Sequence, residues 1–396
     1  MGGHDRPEVA EIAQSRTGRM KVGGVLIALL LATVLWAFFA SADRTTAQTS
    51  NLNGSVLYVP KGNGVLHAYQ EGTWTKIGSW QMPFRGPIRG SDADPSAGFL
   101  YIAYGGDGGT NGTGSLLKWN LVTKTTEWNR SYSFGVDQFA HCGGRIYMPT
   151  GEAATGSKIW EILDADTGNV IGSLTAGTKP HNTICHKGNV YMGGRSARYL
   201  LTARTTGTRT TAEKIGPTPS DYGGVRPFTV NAADTRSWIT WSKFRGFSIA
   251  NSQTGQILAT VNFGAVPSTF KGSAPSHGIS LAPDGSEVYV LDTSLQQVQV
   301  YSGTDNPQRL AKVPLRNPIK GQEVPCFIDC AKEGWLLHSR DGRYVFVGES
   351  GDVISTRTRS VVASLPALAN DRHGFIEINW SNGVPVTTSS HFGIGH

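Results

Sequence analysis

Hydrophobic and polar positions alternate over short runs along most of this chain. From residue 55 onward, runs of Val, Ile, Tyr, Thr and Trp are separated by turns that contain Gly, Asn and Asp. This period-two alternation predicts half-buried β-strands, and no stretch of the region keeps the period of an amphipathic helix. The pattern therefore predicts a protein built almost entirely from short strands.

The strands recur in units that open with a strand, a tight turn and an aromatic second strand. Clear examples are FAHCGGRIYMPTGE (139–152), HGISLAPDGSEVYVLD (277–292) and LLHSRDGRYVFVGE (336–349). Six complete units start near residues 89, 138, 180, 226, 277 and 335. A spacing of about 40–60 residues, with four strands in each unit, is typical of propeller blades.

Two incomplete units remain at the ends of the repeat array. Residues 55–81 hold about three strands without an inner strand, and residues 373–391 hold one or two strands without outer ones. We expect these segments to form one composite closing blade, because a closed ring leaves no sheet edge exposed. The sequence thus predicts an all-β, seven-bladed β-propeller over residues 54–396.

One unit carries a resemblance to a known superfamily. The segment HGISLAPDGSEVYVLD, with its Pro283-Asp284-Gly285 turn and Tyr289-Val290, is similar to the inner hairpin of YVTN-type seven-bladed propeller repeats. Leu291-Asp292 replace the last two residues of that pattern, and the other blades match it loosely. The resemblance implies a fold and not an activity, because related propellers include enzymes, binding scaffolds and proteins of unknown role.

The N-terminus differs from the rest of the chain. Residues 22–40 are uncharged and apolar, and they follow Arg16, Arg19 and Lys21. Nineteen residues at 1.5 Å per residue span about 28 Å, close to the thickness of a bilayer core. Preceding basic residues predict a cytoplasmic start and an exported remainder. We therefore expect a cytoplasmic segment (1–21), a transmembrane anchor or cleaved signal peptide (22–42), a linker (43–53) and an extracytoplasmic propeller, membrane-anchored or secreted.

Charge and cysteine content refine this prediction. The net charge is +7, but no run of five Lys or Arg occurs, so we expect no nucleic-acid partner. Four Cys suit an oxidising compartment. Cys326 and Cys330 are close enough for a local staple, while Cys142 and Cys185 occupy similar offsets in adjacent blades and are either disulfide-bonded or free buried thiols.

Aligning the blades by the aromatic residue of the second strand exposes a candidate site. Arg89, Arg226 and His277 each lie twelve residues before that aromatic residue, and Asp137 and His181 lie ten before it, in blades with a shorter hairpin. The sixth blade offers Gly334 or Trp335, and the closing blade has Arg372 and His373 nearby. In a propeller these positions line one mouth of the central channel, so the sequence predicts a cationic His/Arg mouth.

These residue types suit an acidic sugar. Arg grips carboxylates bidentately, and His is the natural acid or base near neutral pH. We expect catalytic roles for His181, His277, Tyr222 and Asp137, and substrate binding by Arg89, Arg226, His141, His338 and His373. The predicted reaction is β-elimination of a uronate, in which cationic groups stabilise the developing enediolate.

Alternatives remain open for both cofactor and function. The arginines oppose a bare cation at the mouth, so we expect no metal and no cofactor, although a structural cation in the channel is an alternative. The second function hypothesis is a non-catalytic propeller that presents the same mouth to an anionic polymer or a protein partner. A third reading is a solvated mouth whose polar residues satisfy backbone groups and hold water.

Overall fold

The computed structural model describes residues 52–151, 159–177, 179–205, 213–218, 223–322, 331–371 and 374–389. All of them belong to one compact unit, Gln48–His396. The predicted membrane segment, together with Tyr222, Arg372, His373, Cys326 and Cys330, lies outside the described residues. Within the described residues, no helix is long and apolar enough to cross a membrane.

The protein is an all-β, seven-bladed propeller, as the sequence predicts. Six blades are four-stranded antiparallel sheets in which consecutive strands are neighbours. Blades 1 to 3 contain β4 (Ile88–Asp94), β5 (Phe99–Gly105), β6 (Gly114–Asn120), β7 (Thr126–Tyr132), β8 (Ala140–Cys142), β9 (Arg145–Pro149), β10 (Ile159–Asp164), β11 (Val170–Thr175), β12 (Pro180–His186), β13 (Asn189–Gly194), β14 (Leu200–Arg204) and β15 (Glu213–Ile215). Blades 4 to 6 contain β16 (Val225–Val230), β17 (Arg236–Trp241), β18 (Gly246–Asn251), β19 (Ile257–Asn262), β20 (Ile279–Leu281), β21 (Glu287–Asp292), β22 (Gln297–Ser302), β23 (Arg309–Pro314), β24 (Trp335–His338), β25 (Tyr344–Gly348), β26 (Asp352–Ser355) and β27 (Ser360–Ser364).

The closing blade is composite, which confirms the prediction from the two incomplete units. Its order is β29-β28-β1-β2-β3, so strands from both ends of the chain form one sheet. The strands are β1 (Gly54–Lys61), β2 (Val65–Gln70), β3 (Lys76–Gln81), β28 (Ile376–Ser381) and β29 (Val384–Thr388). β28 pairs antiparallel with β1, from Gly54 opposite Trp380 to Tyr58 opposite Ile376. This blade has five strands, because β29 adds to its inner edge. Among the described residues, helical structure is limited to the 3-10 turns Gly109–Asn111, Thr293–Leu295 and Leu368–Asn370.

Aromatic side chains on the second strands pack between blades. The buried set is Tyr58, Tyr101, Tyr147, Tyr191, Trp238 and Tyr289, each at most 2% exposed. Tyr289 of blade 5, for example, packs with Leu336 and Val345 of blade 6. Burying a large apolar side chain contributes on the order of 1.5–3 kcal/mol. The aromatic repeat therefore supplies the apolar contacts between the blades.

A disulfide joins blades 2 and 3. It links Cys142, the last residue of β8, to Cys185 in β12, across a Cα–Cα distance of 5.9 Å. The sequence is compatible with either a disulfide or two free buried thiols at these positions. The structure contains the disulfide.

Blades 4 and 5 are joined by an ion pair. Arg245 donates to both carboxylate oxygens of Asp292, at 2.9 and 2.7 Å. Burial opposes the charge of Asp292, but hydrogen bonds from Arg245, Gln297, Ser294 and Gln299 outweigh it and hold the pKa of this carboxyl below its usual value. Asp292 therefore binds the neighbouring blade through a charged, hydrogen-bonded carboxylate.

Replacing both cysteines of the disulfide should weaken the fold. The bond spans 43 residues, and cross-links of such length stabilise proteins by about 2–4 kcal/mol. We expect the Cys142→Ala, Cys185→Ala double variant to lose that amount in urea unfolding. Wild-type protein treated with a reductant should approach the variant. Equal unfolding free energies for the oxidised wild type and the variant would contradict the prediction.

Asp292→Asn should destabilise the protein in a pH-dependent way. At neutral pH the variant leaves Arg245 without its counter-charge, at a cost of about 3 kcal/mol. Because the folded-state pKa of Asp292 is lowered, its contribution is present above the unfolded pKa and is lost as the pH falls through the acidic range. The stability difference between wild type and variant should therefore narrow below about pH 4, as measured by urea unfolding. A difference that stays constant on acidification would refute this assignment.

Candidate functional site at the channel mouth

The predicted ring positions lie at the starts of the innermost strands. Arg89, His181 and Arg226 are each the second residue of an inner strand, in β4, β12 and β16. Asp137 and His277 precede β8 and β20 by three and two residues. These strand starts converge on one end of the channel, so each blade contributes its own side chain there.

Asp137 and His181 form a buried hydrogen-bonded pair. His181 Nδ1 lies 2.8 Å from Asp137 Oδ2, and the two residues are 4% and 2% exposed. The other carboxylate oxygen accepts the Gln138 N–H at 2.9 Å, which fixes its orientation. A carboxylate that accepts from Nδ1–H selects the tautomer whose Nε2 can act as a base. The pair thus has the arrangement of an oriented general base.

A second imidazole faces the first. The ring centroids of His181 and His277 are 5.8 Å apart, although the residues are 96 positions apart in sequence. His277 Nδ1 donates to the Gly334 carbonyl at 3.0 Å. Its Nε2 lies 3.9 Å from Glu333 Oε2. Two imidazoles, each with a carboxylate beside it, therefore share one buried location.

Glu333 is the main residue of this cluster that the sequence pattern does not predict. Its Oε1 accepts the Ala274 N–H at 2.8 Å and the Ser273 hydroxyl at 3.1 Å. Glu349 Oε2 in turn accepts the backbone N–H groups of Glu333 and Gly334, at 2.9 and 2.7 Å. Counting back twelve residues from Phe346, the aromatic residue on the second strand of blade 6, reaches Gly334. A register one residue earlier would have identified the carboxylate.

Arg226 connects to the same cluster through a serine. Its Nε donates to Ser242 Oγ at 2.8 Å, and its Nη2 donates to Ser273 Oγ. The Ser273 hydroxyl also donates to Glu333. A hydrogen-bonded chain therefore runs from Arg226 to the carboxylate beside His277.

Arg89 is engaged within its own blade. Its Nε donates to the Gly105 carbonyl at 2.9 Å, and its Nη1 lies 3.7 Å from Asp107 Oδ2. Asp107 therefore balances the positive charge of Arg89, which the sequence predicts to bind an anionic ligand. Asp137, His181 and His277 lie together, and Arg226 is connected to them through Ser273 and Glu333. The contacts of Arg89 given above do not lead to this cluster.

His141 and His338 lie in the walls between blades. His141 stacks on Tyr101 with a centroid distance of 5.3 Å, and burial lowers its pKa. His338 Nδ1 lies 2.8 Å from Ser280 Oγ, and the ring packs edge-on against Tyr289. Burial lowers the pKa of His338 to about 3. These contacts give both residues a packing role at blade interfaces, and substrate binding by His141 and His338 stays a prediction.

The mouth contains more carboxylates than the sequence suggests. Glu333 and Asp371 are buried just before inner strands, and Asp107 and Glu349 are buried just after second strands. Lys61, at the end of β1, adds a positive charge there, and its pKa is lowered chiefly by burial, with Asp371 opposing the shift and Lys332 adding to it. Among the described residues, no three His, Cys, Asp or Glu side chains form a group that could hold a metal ion. The described part of the mouth is therefore a mixed acid–base environment.

Comparison with known proteins supports the fold. No family model and no curated protein matches the chain. A functionally unknown protein from Desulfotomaculum acetoxidans is similar in structure, with a TM-score of 0.61 and 11% identity over 81% of this chain and 98% of that one. Hydrazine synthase from Kuenenia stuttgartiensis has a TM-score of 0.56 and 10% identity over 79% of this chain and 93% of that one.

A third similar structure is the dihydro-heme d1 dehydrogenase NirN in complex with DHE. It has a TM-score of 0.55 and 12% identity over 86% of this chain and 71% of that one. Hydrazine synthase and the dehydrogenase differ in function, and such low identity carries no activity from these proteins to this chain. What the chain shares with all of them is the β-propeller fold.

Proposed function

We propose that this propeller is an extracytoplasmic carbohydrate-active enzyme, an eliminating lyase on uronate-containing sugars. The observation that carries the proposal is the buried His181–Asp137 pair, with a second histidine 5.8 Å away. β-Elimination needs one group to remove a proton and another to protonate the leaving oxygen. Two imidazoles in different hydrogen-bonding environments can serve as this base and this acid.

The neighbouring groups of His181 and His277 indicate which histidine is the base and which is the acid. His181 donates its Nδ1–H to a carboxylate, which stabilises the imidazolium that forms when Nε2 accepts a proton. His277 donates its Nδ1–H to a neutral carbonyl, and Glu333 Oε2 lies 3.9 Å from its Nε2, so a proton on Nε2 has a carboxylate beside it before the reaction and can be given to the leaving oxygen. We therefore assign His181 as the base and His277 as the acid. Tyr222, outside the described residues, stays an alternative acid.

The proposed step conserves protons and electrons. His181 removes the proton on the carbon beside the substrate carboxylate, and the electron pair of that bond forms a double bond to the adjacent carbon. The glycosidic bond at the adjacent carbon breaks, and the leaving oxygen takes a proton from His277. Arg226 binds the substrate carboxylate and stabilises the charge that develops on it.

A non-catalytic binding propeller is the second candidate. The observation that favours it is the neutralisation of the mouth: Arg89 pairs with Asp107, and Glu333 accepts several hydrogen bonds that hold it rigid. Fewer positive charges then remain to stabilise an enediolate, so the mouth would bind an anionic polymer or protein partner without turnover. The two candidates differ in whether an unsaturated sugar product forms.

The proposed location rests on two features. The apolar residues 22–40 and the basic residues before them favour export, with the propeller either anchored in the membrane or secreted. The Cys142–Cys185 disulfide is consistent with an oxidising compartment. We also propose membership in the YVTN-type superfamily, supported by the turn in which Asp284 accepts the Ser286 N–H at 2.9 Å.

Removing either mouth histidine should abolish turnover. We expect His181→Ala and His277→Ala to lose at least about 10²-fold in kcat on an acidic oligosaccharide that the wild type cleaves, because acid–base groups contribute about 10²–10⁴-fold. Ultraviolet absorbance of the unsaturated product is the measurement. His67→Ala, a change on β2 of the closing blade, is the matched control and should keep activity. Retained turnover in both mouth variants would overturn the lyase proposal, and binding without product across a panel of acidic polysaccharides would favour the second candidate.

Arg226→Lys should weaken substrate binding more than it slows chemistry. The substitution keeps a positive charge but removes the planar fork that grips a carboxylate. We expect KM to rise about tenfold with a smaller fall in kcat, and circular dichroism should report an unchanged fold. Arg236→Lys, at the partly exposed ion pair with Asp305, is the control. An unchanged KM in Arg226→Lys would rule out the carboxylate-binding role.

A further inference from the structure

A second group of buried carboxyls lies between the closing blade and blade 6. β1 is flanked by β2 on one side and β28 on the other. Glu377 in β28 stands opposite Leu57 of β1, and the Glu71 N–H, just after β2, donates to the Ser55 carbonyl at 2.9 Å. Positions two apart on a strand face the same side. Glu71 and Glu377 therefore project from one face of the closing blade.

Both glutamates reach the same turn of blade 6. Glu377 Oε2 accepts the Arg340 N–H at 2.6 Å, and Glu71 Oε1 accepts from Arg343 Nη2 at 3.1 Å. Their remaining oxygens, Glu71 Oε2 and Glu377 Oε1, are buried. Because both side chains project from one face of the closing blade and bind residues 340 and 343 of one turn, their carboxyl groups are brought together there. One turn of blade 6 is thus bound by two buried carboxyls of the closing blade.

The local charges do not balance if every acid is ionised. The groups that face the pair are Asp341 and Arg343 of the same turn, and Arg343 also pairs with Asp341. The Arg343 side chain is 63% exposed, whereas those of Glu71 and Glu377 are buried. Burial first, then Glu377 and Asp341, raise the pKa of Glu71 to about 8, while Arg343 acts in the opposite direction. Burial raises the pKa of Glu377 as well.

We infer that Glu71 and Glu377 share one proton at neutral pH and that this proton stabilises the interface between the closing blade and blade 6. Two buried carboxylates at such close range cannot both carry a charge at low cost. With one proton between them, the pair forms a hydrogen bond and keeps its contacts to the blade 6 turn. Glu377 is on the C-terminal strand and Glu71 follows an N-terminal strand, so the shared proton acts where the ring closes.

The direction of the pH effect follows from linkage. A carboxyl whose pKa is higher in the folded state than in the unfolded state binds its proton more tightly in the fold. Its contribution to stability is fully present below the unfolded pKa and is lost as the pH rises through the folded pKa. Ring closure should therefore weaken between about pH 4.5 and about pH 8.

Glu71→Gln tests the inference, because the amide imitates a protonated carboxyl and can still accept from Arg343. We measure urea unfolding of the propeller at about pH 6 and about pH 8.5. The unfolding equilibrium constant of the wild type should rise by about tenfold or more relative to Glu71→Gln over that interval. Glu287→Gln is the matched control, since Glu287 also binds an arginine of the neighbouring blade, Arg359, but faces Tyr289 instead of a second carboxyl. The unfolding equilibrium constant of Glu287→Gln should change by the same factor as that of the wild type over this pH interval.

Three results would overturn the inference. The first is a pH dependence in Glu71→Gln that equals the wild type. The second is a wild type whose stability at high pH is restored by calcium ions, which would assign the carboxyl pair to a cation. If Glu71→Gln does not fold, carbon NMR of the wild-type carboxyls decides: a Glu carboxyl that titrates near pH 8 supports the shared proton, and no Glu71 or Glu377 titration above about pH 6 excludes it.

Discussion

The pairing of β28 with β1 is the constraint on which the rest of the structure depends. It joins Gly54 to Trp380 and Tyr58 to Ile376, and these residues come from opposite ends of the described chain. The entropy of closing a loop rises only slowly with its length, so such distant strands can pair stably. Without this pairing the ring would have two open sheet edges. The inner strands would then have no fixed arrangement around the channel.

The candidate site follows directly from that arrangement. No blade contains it: Asp137 belongs to blade 2, His181 to blade 3, Arg226 to blade 4 and His277 to blade 5, while Glu333 precedes the inner strand of blade 6. Side chains far apart in sequence approach within hydrogen-bonding range only because the inner strands start at one end of the channel. A closed ring therefore supplies the fixed geometry that acid–base chemistry requires.

The sequence predicts the blades well because both of their signals are local. Alternating hydrophobicity defines the strands, and the aromatic residue of each second strand sets the register. Counting from Tyr147 and Tyr289 reached Asp137 and His277 because their hairpins have regular lengths. The same counting reached Gly334, the position equivalent to His277, because Leu337 pairs with Phe346 as Ser280 pairs with Tyr289. Glu333 lies one residue earlier, in a connecting loop that has no periodic signal. Asp107, which neutralises Arg89, lies in such a loop.

The alternation of hydrophobic and polar residues also does not predict side-chain contacts between blades. His141 and His338 have the residue type of a ligand, yet their neighbours Tyr101 and Ser280 place them in blade interfaces. Nothing in the order of residues indicates that Glu377 lies beside Glu71, because they are 306 positions apart. Burial and ring closure decide such contacts, and both are properties of the whole fold.

Different polar or covalent contacts reinforce the blade interfaces. Apolar packing is non-directional, so it brings blades together without fixing how they align. Directional contacts supply that alignment, and each interface has its own: Lys118 with Asp166, Cys142 with Cys185, Tyr191 with Asp234, Arg245 with Asp292, Arg359 with Glu287, Arg343 with Glu71, and Lys124 over Trp80 and Trp380. The contact between Arg343 and Glu71 differs from the others because a second buried carboxyl, Glu377, faces the same glutamate. The interface between the closing blade and blade 6 should therefore weaken as the pH rises, whereas the Arg245–Asp292 interface between blades 4 and 5 should weaken as the pH falls.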